Sequence, residues 1–409
     1  MNKSVYILTF FLLFTGAASK APISINGTID AGVSSGGSDS QFISNGIAQE
    51  YRYLHFSIPQ INLLLFAPIN DDFFFEGRLQ SDTWYDGELS YPRFTLANIT
   101  YAPIDGKHSF SAGRFISPFG FYPTRALTID RTFMELPLNY SYYVSMSDVY
   151  GFWDNARYGD GYSYSEGLMT SVYFGGYSTG LRWDWEIQEN KLRLQSALTT
   201  VALSSTRDYS NLGNAALTSR MIYNPSIQWQ WGISASHGSF MHFEDGENGS
   251  LRDDAPLEQY RQSLVGLDLK YGLGFWEIIG EVIYTHWKVP MYISNPGSSE
   301  YTLGFQYDGS EPTTSYFSSI GGNLDIKFEP PFFTGSYFAV RLDRLNFIEE
   351  HPIQTNAYGT EDWDKDKFRI SFAAGYKLAH NIEVKLLASE QTPFDTSLYT
   401  FRMMLTAFF

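Results

Sequence analysis

The feature that most constrains this chain is a period-two alternation that recurs in one segment after another between Ile23 and Phe409. It is cleanest late in the chain. In residues 367–379, Phe368, Ile370, Phe372 and Tyr376 oppose Arg369, Ser371 and Lys377. In 382–391, Ile382, Val384, Leu386 and Ala388 oppose Glu383, Lys385 and Ser389. In 398–409, Tyr399, Phe401, Met403, Leu405, Ala407 and Phe409 oppose Thr400, Arg402, Met404, Thr406 and Phe408. Successive side chains of a strand point to opposite faces, so each segment presents two different surfaces to two different solvents. Sixteen segments read as strands: 23–33, 50–66, 73–83, 93–102, 109–117, 168–187, 192–203, 218–224, 226–237, 262–271, 275–289, 317–329, 334–349, 367–379, 382–391 and 398–409.

The connections sort by length. Short ones (67–72, 103–108, 188–191, 224–225, 271–274, 330–333, 380–381) alternate with mostly long, polar ones (34–49, 84–92, 118–167, 204–217, 238–261, 290–316, 350–366, and a short 392–397). A soluble sandwich has no reason to sort its loops in this way, and no repeat of propeller length is present. Strands of about 9–11 residues cross a bilayer when tilted. Open edges cannot survive in hydrocarbon, so the sheet must close. The expectation is an all-β fold: a closed antiparallel transmembrane barrel of sixteen strands, with short periplasmic turns and long outer loops. Trp84, Tyr85, Tyr91, Trp183, Trp185, Trp276, Trp287 and Tyr399 fall near strand ends, where amphipathic rings suit the headgroup zone.

Residues 1–18 read as a secretory signal peptide, with Lys3, an apolar core from Val5 to Phe14, and small residues Gly16, Ala17 and Ala18 for cleavage. Residues 19–409 then form one barrel domain. The chain has no cysteine, which excludes disulfide and thiolate chemistry. Its net charge of -16 argues against nucleic acid as a partner. Phe, Trp and Tyr make up 17% of residues, a composition of strands rather than helices.

Enzyme-like patterns do not persist under inspection. Gly176-Tyr177-Ser178-Thr179-Gly180 matches G-x-S-x-G, but no helix follows it, as a nucleophile elbow requires. His237 and His242 lack the one-face helical spacing of a metal pair, and the acidic run Phe243–Asp254 lacks calcium-loop spacing. The sequence therefore implies no enzyme, no cofactor and no metal site.

The segment 118–167 is the exception among the loops. It is long and mixes aromatics (Phe119, Phe121, Tyr122, Phe133, Tyr140) with charges: Arg125, Asp130, Arg131, Glu135, Asp148, Asp154 and Arg157. A loop of this kind is functional rather than filler. Folded inward, it narrows a water-filled lumen; as an outer cap, it never enters the pore.

At this point the chain resembles the bacterial general and specific porins, in its strand count, signal peptide, long loop after the fifth strand and terminal phenylalanine. The run Gly113-Arg114-Phe115-Ile116-Ser117-Pro118-Phe119-Gly120 resembles the G-x-F-x-x-P-F-G of phosphate-selective porins. The resemblance implies passive diffusion of small solutes or ions, a constriction made by the long loop, outer-membrane lipid and lipopolysaccharide as surroundings, and a homotrimer. Phe409 resembles the carboxy-terminal signal read by the barrel-assembly machinery. The acidic balance departs from phosphate selectivity and points to a mild cation preference. Strand parity places Arg78, Arg182, Arg369 and Arg402 on the lumen wall, and Arg114 joins them as a candidate. The expected selectivity device is a transverse field, with loop acids facing a basic patch. The alternatives are a plugged or structural barrel (adhesin, secretion partner or receptor) and, further off, a barrel-scaffold envelope enzyme.

Overall fold

A computed structural model describes residues 23–409, apart from 38–40, 45–46, 51–53, 83–88, 105, 149–150, 153–167, 206–214, 242–256, 292–312, 350–352, 356–358, 362, 365 and 393–398. The segment read as a signal peptide lies outside the described residues.

Sixteen strands close into one antiparallel barrel. They are β1 (Ser24–Gly36), β2 (His55–Pro68), β3 (Phe73–Ser81), β4 (Arg93–Tyr101), β5 (His108–Ile116), β6 (Tyr177–Gln188), β7 (Leu192–Thr199) and β8 (Ala216–Ser226). They continue as β9 (Trp229–Ser239), β10 (Arg261–Leu273), β11 (Trp276–Met291), β12 (Thr313–Phe328), β13 (Ser336–Glu349), β14 (Lys367–Ala379), β15 (Ile382–Gln391) and β16 (Tyr399–Phe408). Each strand pairs with its neighbours in sequence, and β1 closes the ring on β16 with Thr28 opposite Phe408 and Gly36 opposite Thr400. No wall strand is left with an open edge, as a lipid setting demands.

Alternation becomes two surfaces. Leu181, Leu217, Leu267, Phe401 and Met403 stand out from the wall and are about half exposed or more, whereas Asn62, Thr218, Ser234, Thr285, Ser371 and Thr406 point inward and are buried. Aromatic stacks mark the short-turn end: Trp183 with Trp185, both against His108, and Trp229 with Trp231. Trp287 departs from the expected girdle. It shares the inward register of Ile279 and Ile283, is fully buried, and meets Trp363 edge to face at 5.5 Å.

Closure involves one specific contact. Gly27 and Phe409 exchange backbone hydrogen bonds, Gly27 N–H to Phe409 O at 2.7 Å and Phe409 N–H to Gly27 O at 2.9 Å. The Phe409 ring then lies across Gly27, where an added Cβ would come within 2.4 Å of it.

One expected strand is broken. The segment 168–187 does not run through the wall. Leu168–Thr170 instead joins Tyr143–Ser147 and Gly151–Phe152 in a small sheet of the long loop. The wall resumes at Tyr177, after Gly176 turns the chain with φ +65. The reason is visible in composition. Leu168, Met169, Val172, Tyr173 and Phe174 do not alternate with polar residues, and Met169 and Val172 are buried in loop packing. The loop therefore runs through residues 117–176, and the barrel count is unaffected because the lost piece never belonged to the wall. Other boundaries move as well: β2 begins at His55 rather than at 50, β7 ends at Thr199 rather than at 203, and β12 begins at Thr313 rather than at 317.

Candidate functional site

The long loop folds into the barrel and is held along one side of the wall. Apolar side chains seat it first. Phe119, Phe121, Tyr122, Leu136 and Tyr140 pack with Leu264, Ile279 and Ile283 of β10 and β11. Phe133 and Met134 pack with Tyr337, Ala373, Leu387 and Met404 of β13–β16. Leu138, Val144, Met146 and Met169 pack with Trp287, Phe317, Leu345 and Phe347.

Buried charges then fix its position. The Phe121 N–H donates to Glu281 at 2.7 Å and the Tyr140 hydroxyl to the same oxygen at 3.1 Å. The Gly120 N–H donates to Ser234 Oγ at 3.0 Å. The Tyr122 hydroxyl donates to Asp325 at 2.8 Å, and Arg341 grips that carboxylate with Nε and Nη2, both at 2.7 Å. Arg341 also donates to the Glu135 carbonyl at 2.9 Å, Arg369 to the Leu136 carbonyl at 2.6 Å, and the Leu138 N–H to Asp343 at 2.8 Å. Lys385 donates to the carbonyls of Thr128 and Arg131 at 2.8 and 2.5 Å. Charge-assisted bonds of this kind contribute roughly 1.5–3 kcal/mol each. Gln262 of β10 donates to the Ser171 carbonyl at 2.9 Å, so the loop is bound to β9 through β15.

β3, β4, β6 and β7 face the remaining lumen. Their inward side carries Arg78, which donates to Thr95 Oγ1 at 2.6 Å; Arg93, paired with Asp82 at 2.6 Å; and Arg182, paired with Asp184 at 2.8 Å. Glu76 and Gln195 stand on the same face, and Gln195 donates to Asp184 at 2.6 Å. Among the described loop residues, Thr124 and Asp130 are the exposed ones, flanked by half-buried Arg125, Ala126, Leu127 and Ile129. Partial burial raises the Asp130 carboxyl above its ordinary range, against the opposing pull of Arg125, Lys385, Arg131 and Arg78.

No family model matches this sequence, and no curated protein is similar to it. Solved structures are similar in shape. A loop-deletion mutant of OmpT, an outer membrane protein of Vibrio cholerae, has 9% identity and a TM-score of 0.54, over 95% of this chain and 99% of that one. The anion-selective porin of Comamonas acidovorans also has 9% identity and a TM-score of 0.54, over 95% and 99%. Salmonella typhi OmpF, in complex with daunomycin, has 12% identity and a TM-score of 0.53, over 95% and 97%. The fold is that of the outer-membrane porins.

Within this porin fold the charges singled out in the sequence have separate fates. Asp130 is exposed, and Arg125 is half-buried, 3.6 Å from Glu277 and over the Phe121 ring. Arg131 is buried and donates to Thr128 Oγ1 at 3.1 Å. Glu135 faces the wall, 3.6 Å from Arg369 and hydrogen-bonded by Ser371. Asp148 is buried and accepts from Ser205 at 3.2 Å. Asp154 and Arg157 lie outside the described residues. On the wall, Arg78, Arg182, Arg369 and Arg402 point inward, and Arg369 is committed to Asp343 at 2.7 Å and to the loop. Arg114 reaches the Phe94 carbonyl at 2.7 Å and Thr179 at 3.3 Å and covers the Tyr177 ring.

Arg341, Asp343, Lys385 and Arg93 escaped the sequence reading as site residues. For β13 the signal was available: Arg341 and Asp343 alternate with Phe338, Val340 and Leu342, so parity alone puts them inside.

Proposed function

We propose that this protein is a passive channel of the bacterial outer membrane for small hydrophilic solutes or ions, with a mild cation preference. The observation that carries it is the loop, held by hydrogen bonds to buried side chains of β9–β15, Arg341, Asp343 and Arg369 among them, while Thr124 and Asp130 stay exposed and the wall of β3, β4, β6 and β7 carries Arg78, Arg93, Arg182 and Gln195. Polar and charged walls on both sides suit hydrated solutes, and a carboxylate at a narrowing favours cations where low-dielectric walls strengthen its field. Arg78 and Arg182 supply the opposing side of a transverse field. Residues 1–18 serve export, Phe409 is the feature the assembly machinery reads, and the working unit is a homotrimer; OmpT of Vibrio cholerae has been solved in a trimer form.

Swelling of liposomes that contain the refolded barrel tests the channel: small sugars should enter and swell them, and swelling no faster than in empty liposomes contradicts it. Reversal potential in a salt gradient tests the preference. Asp130→Lys should shift it toward anions, and an unchanged potential removes Asp130 from the selectivity device.

A further inference from the structure

The long loop is supported in two ways. Up to Ser141 the wall strands hold it through the side chains described above. From Tyr143 onward it forms the small sheet, with Tyr143–Ser147 in the centre between Gly151–Phe152 and Leu168–Thr170. Val144, Met146 and Met169 of this sheet are buried and cluster with Trp287, Phe317, Leu345 and Phe347 of β11–β13. Apolar packing is non-directional. It keeps the sheet against the wall without fixing its height or tilt.

The directional contacts come from a different connection, the one between β13 and β14. Asp364 is buried, and both of its oxygens accept from the loop: Oδ1 from the Tyr142 hydroxyl at 2.9 Å and Oδ2 from the Ser145 N–H at 2.8 Å. Ser145 lies in the central strand, where the register shifts between Val144 and Ser147. Asp364 is anchored through its neighbour. Trp363 is 2% exposed, and its Nε1 donates to the Ser318 carbonyl of β12 at 2.9 Å. Its ring meets those of Trp287, Phe317 and Phe347 with centroids 5.5, 5.5 and 4.7 Å apart.

The next acid in this connection does something else. Asp366 accepts from the Asn346 side chain at 2.8 Å and from the Phe347 N–H at 2.9 Å, both on β13. One acid ties the connection to the wall, and the other ties it to the loop. The connection between β7 and β8 also touches the loop, but with neutral or longer bonds: the Tyr173 N–H to the Leu203 carbonyl at 2.8 Å and the Ser205 hydroxyl to Asp148 at 3.2 Å. Burying a carboxylate is costly unless its oxygens are satisfied. An apolar side chain beside Trp363 would fill the same space at less cost, so the carboxylate contributes position rather than bulk.

We infer that Asp364 is a positioning residue for the pore: it fixes the sheet of the long loop against the inside of the wall, so that the passage beside it has one width. It acts through Tyr142 and Ser145 and needs no contact with the solute. Without it the sheet stays packed but shifts, and the open state divides into several conductance levels. The inference rests on the channel reading above.

Single-channel recording and amide hydrogen exchange on the refolded full-length barrel test it together. In Asp364→Ala, time spent in sub-levels should rise about tenfold, and exchange across residues 143–147 should speed about tenfold while β11–β13 exchange as before. Tyr142→Phe removes one of the two bonds and should move both readouts less; it carries the test if Asp364→Ala does not fold. Asp366→Asn should match the unaltered protein in both. Unchanged exchange at 143–147, faster exchange without sub-levels, or equal effects from Asp366→Asn overturns the inference. If the unaltered barrel shows no steps, the channel reading falls and exchange alone decides: faster exchange confined to 143–147 keeps Asp364 as the residue that positions the sheet, and unchanged exchange removes it.

Discussion

The Tyr122 hydroxyl, on the loop inside the barrel, donates to the Asp325 carboxylate of β12 at 2.8 Å, joining positions 203 residues apart in sequence. Asn323 donates to the same hydroxyl at 2.7 Å, so the phenol both gives and receives a hydrogen bond while buried. Tyr122→Phe removes both bonds and a longer one from Arg341 Nη2 at 3.4 Å, and leaves Arg341 on Asp325. Unfolding of the lipid-embedded barrel in urea should show a loss of about 1 kcal/mol, with strand content unchanged.

Arg369 sits between two buried carboxylates, Asp343 at 2.7 Å and Glu135 at 3.6 Å. Arg369→Met leaves both without their cation and should cost about 3–5 kcal/mol. Glu135→Gln should cost less, about 1–3 kcal/mol. In a double-mutant cycle the two should couple by about 1 kcal/mol or more. Independent effects would mean that the loop does not depend on this pair.

Asp130 carries the proposed preference, and partial burial raises its carboxyl. A raised carboxyl takes up its proton at a higher pH than usual. Cation preference should therefore be complete at neutral pH and fall as the solution is acidified, starting above the ordinary aspartate value of about 4. Reversal potentials across a pH series read this directly, and Asp130→Asn should flatten the series at its acidic-limit value.

Gly27 lies under the Phe409 ring at the closing pair of strands. Gly27→Leu should displace the ring and slow closure. Less of the protein would then reach the heat-modifiable, gel-compact form, whereas the barrels that do close should conduct normally. A variant that assembles at the normal rate would remove this contact from the assembly step.

Much of the wall was legible because its physics is local. A strand between lipid and water must alternate, so Phe372, Ala374 and Tyr376 against Arg369, Ser371 and Ala373 announce their faces without any tertiary knowledge. The loop was legible as important but not in its contacts. Glu135 and Asp130 are both acids in the same segment, and nothing nearby says that one turns to Ser371, 236 residues away, while the other stays open. The run from Leu168 to Phe174 misled for the opposite reason. Apolar residues look alike whether they face lipid from a wall strand or pack inside a folded loop, and only the turn at Gly176 separates the two.

The central claim is an open path beside an anchored loop, and single-channel recording of the refolded protein in planar bilayers tests it most directly. The account predicts stable open steps whose conductance rises with salt concentration. Correctly folded barrels that insert and show no steps would contradict it.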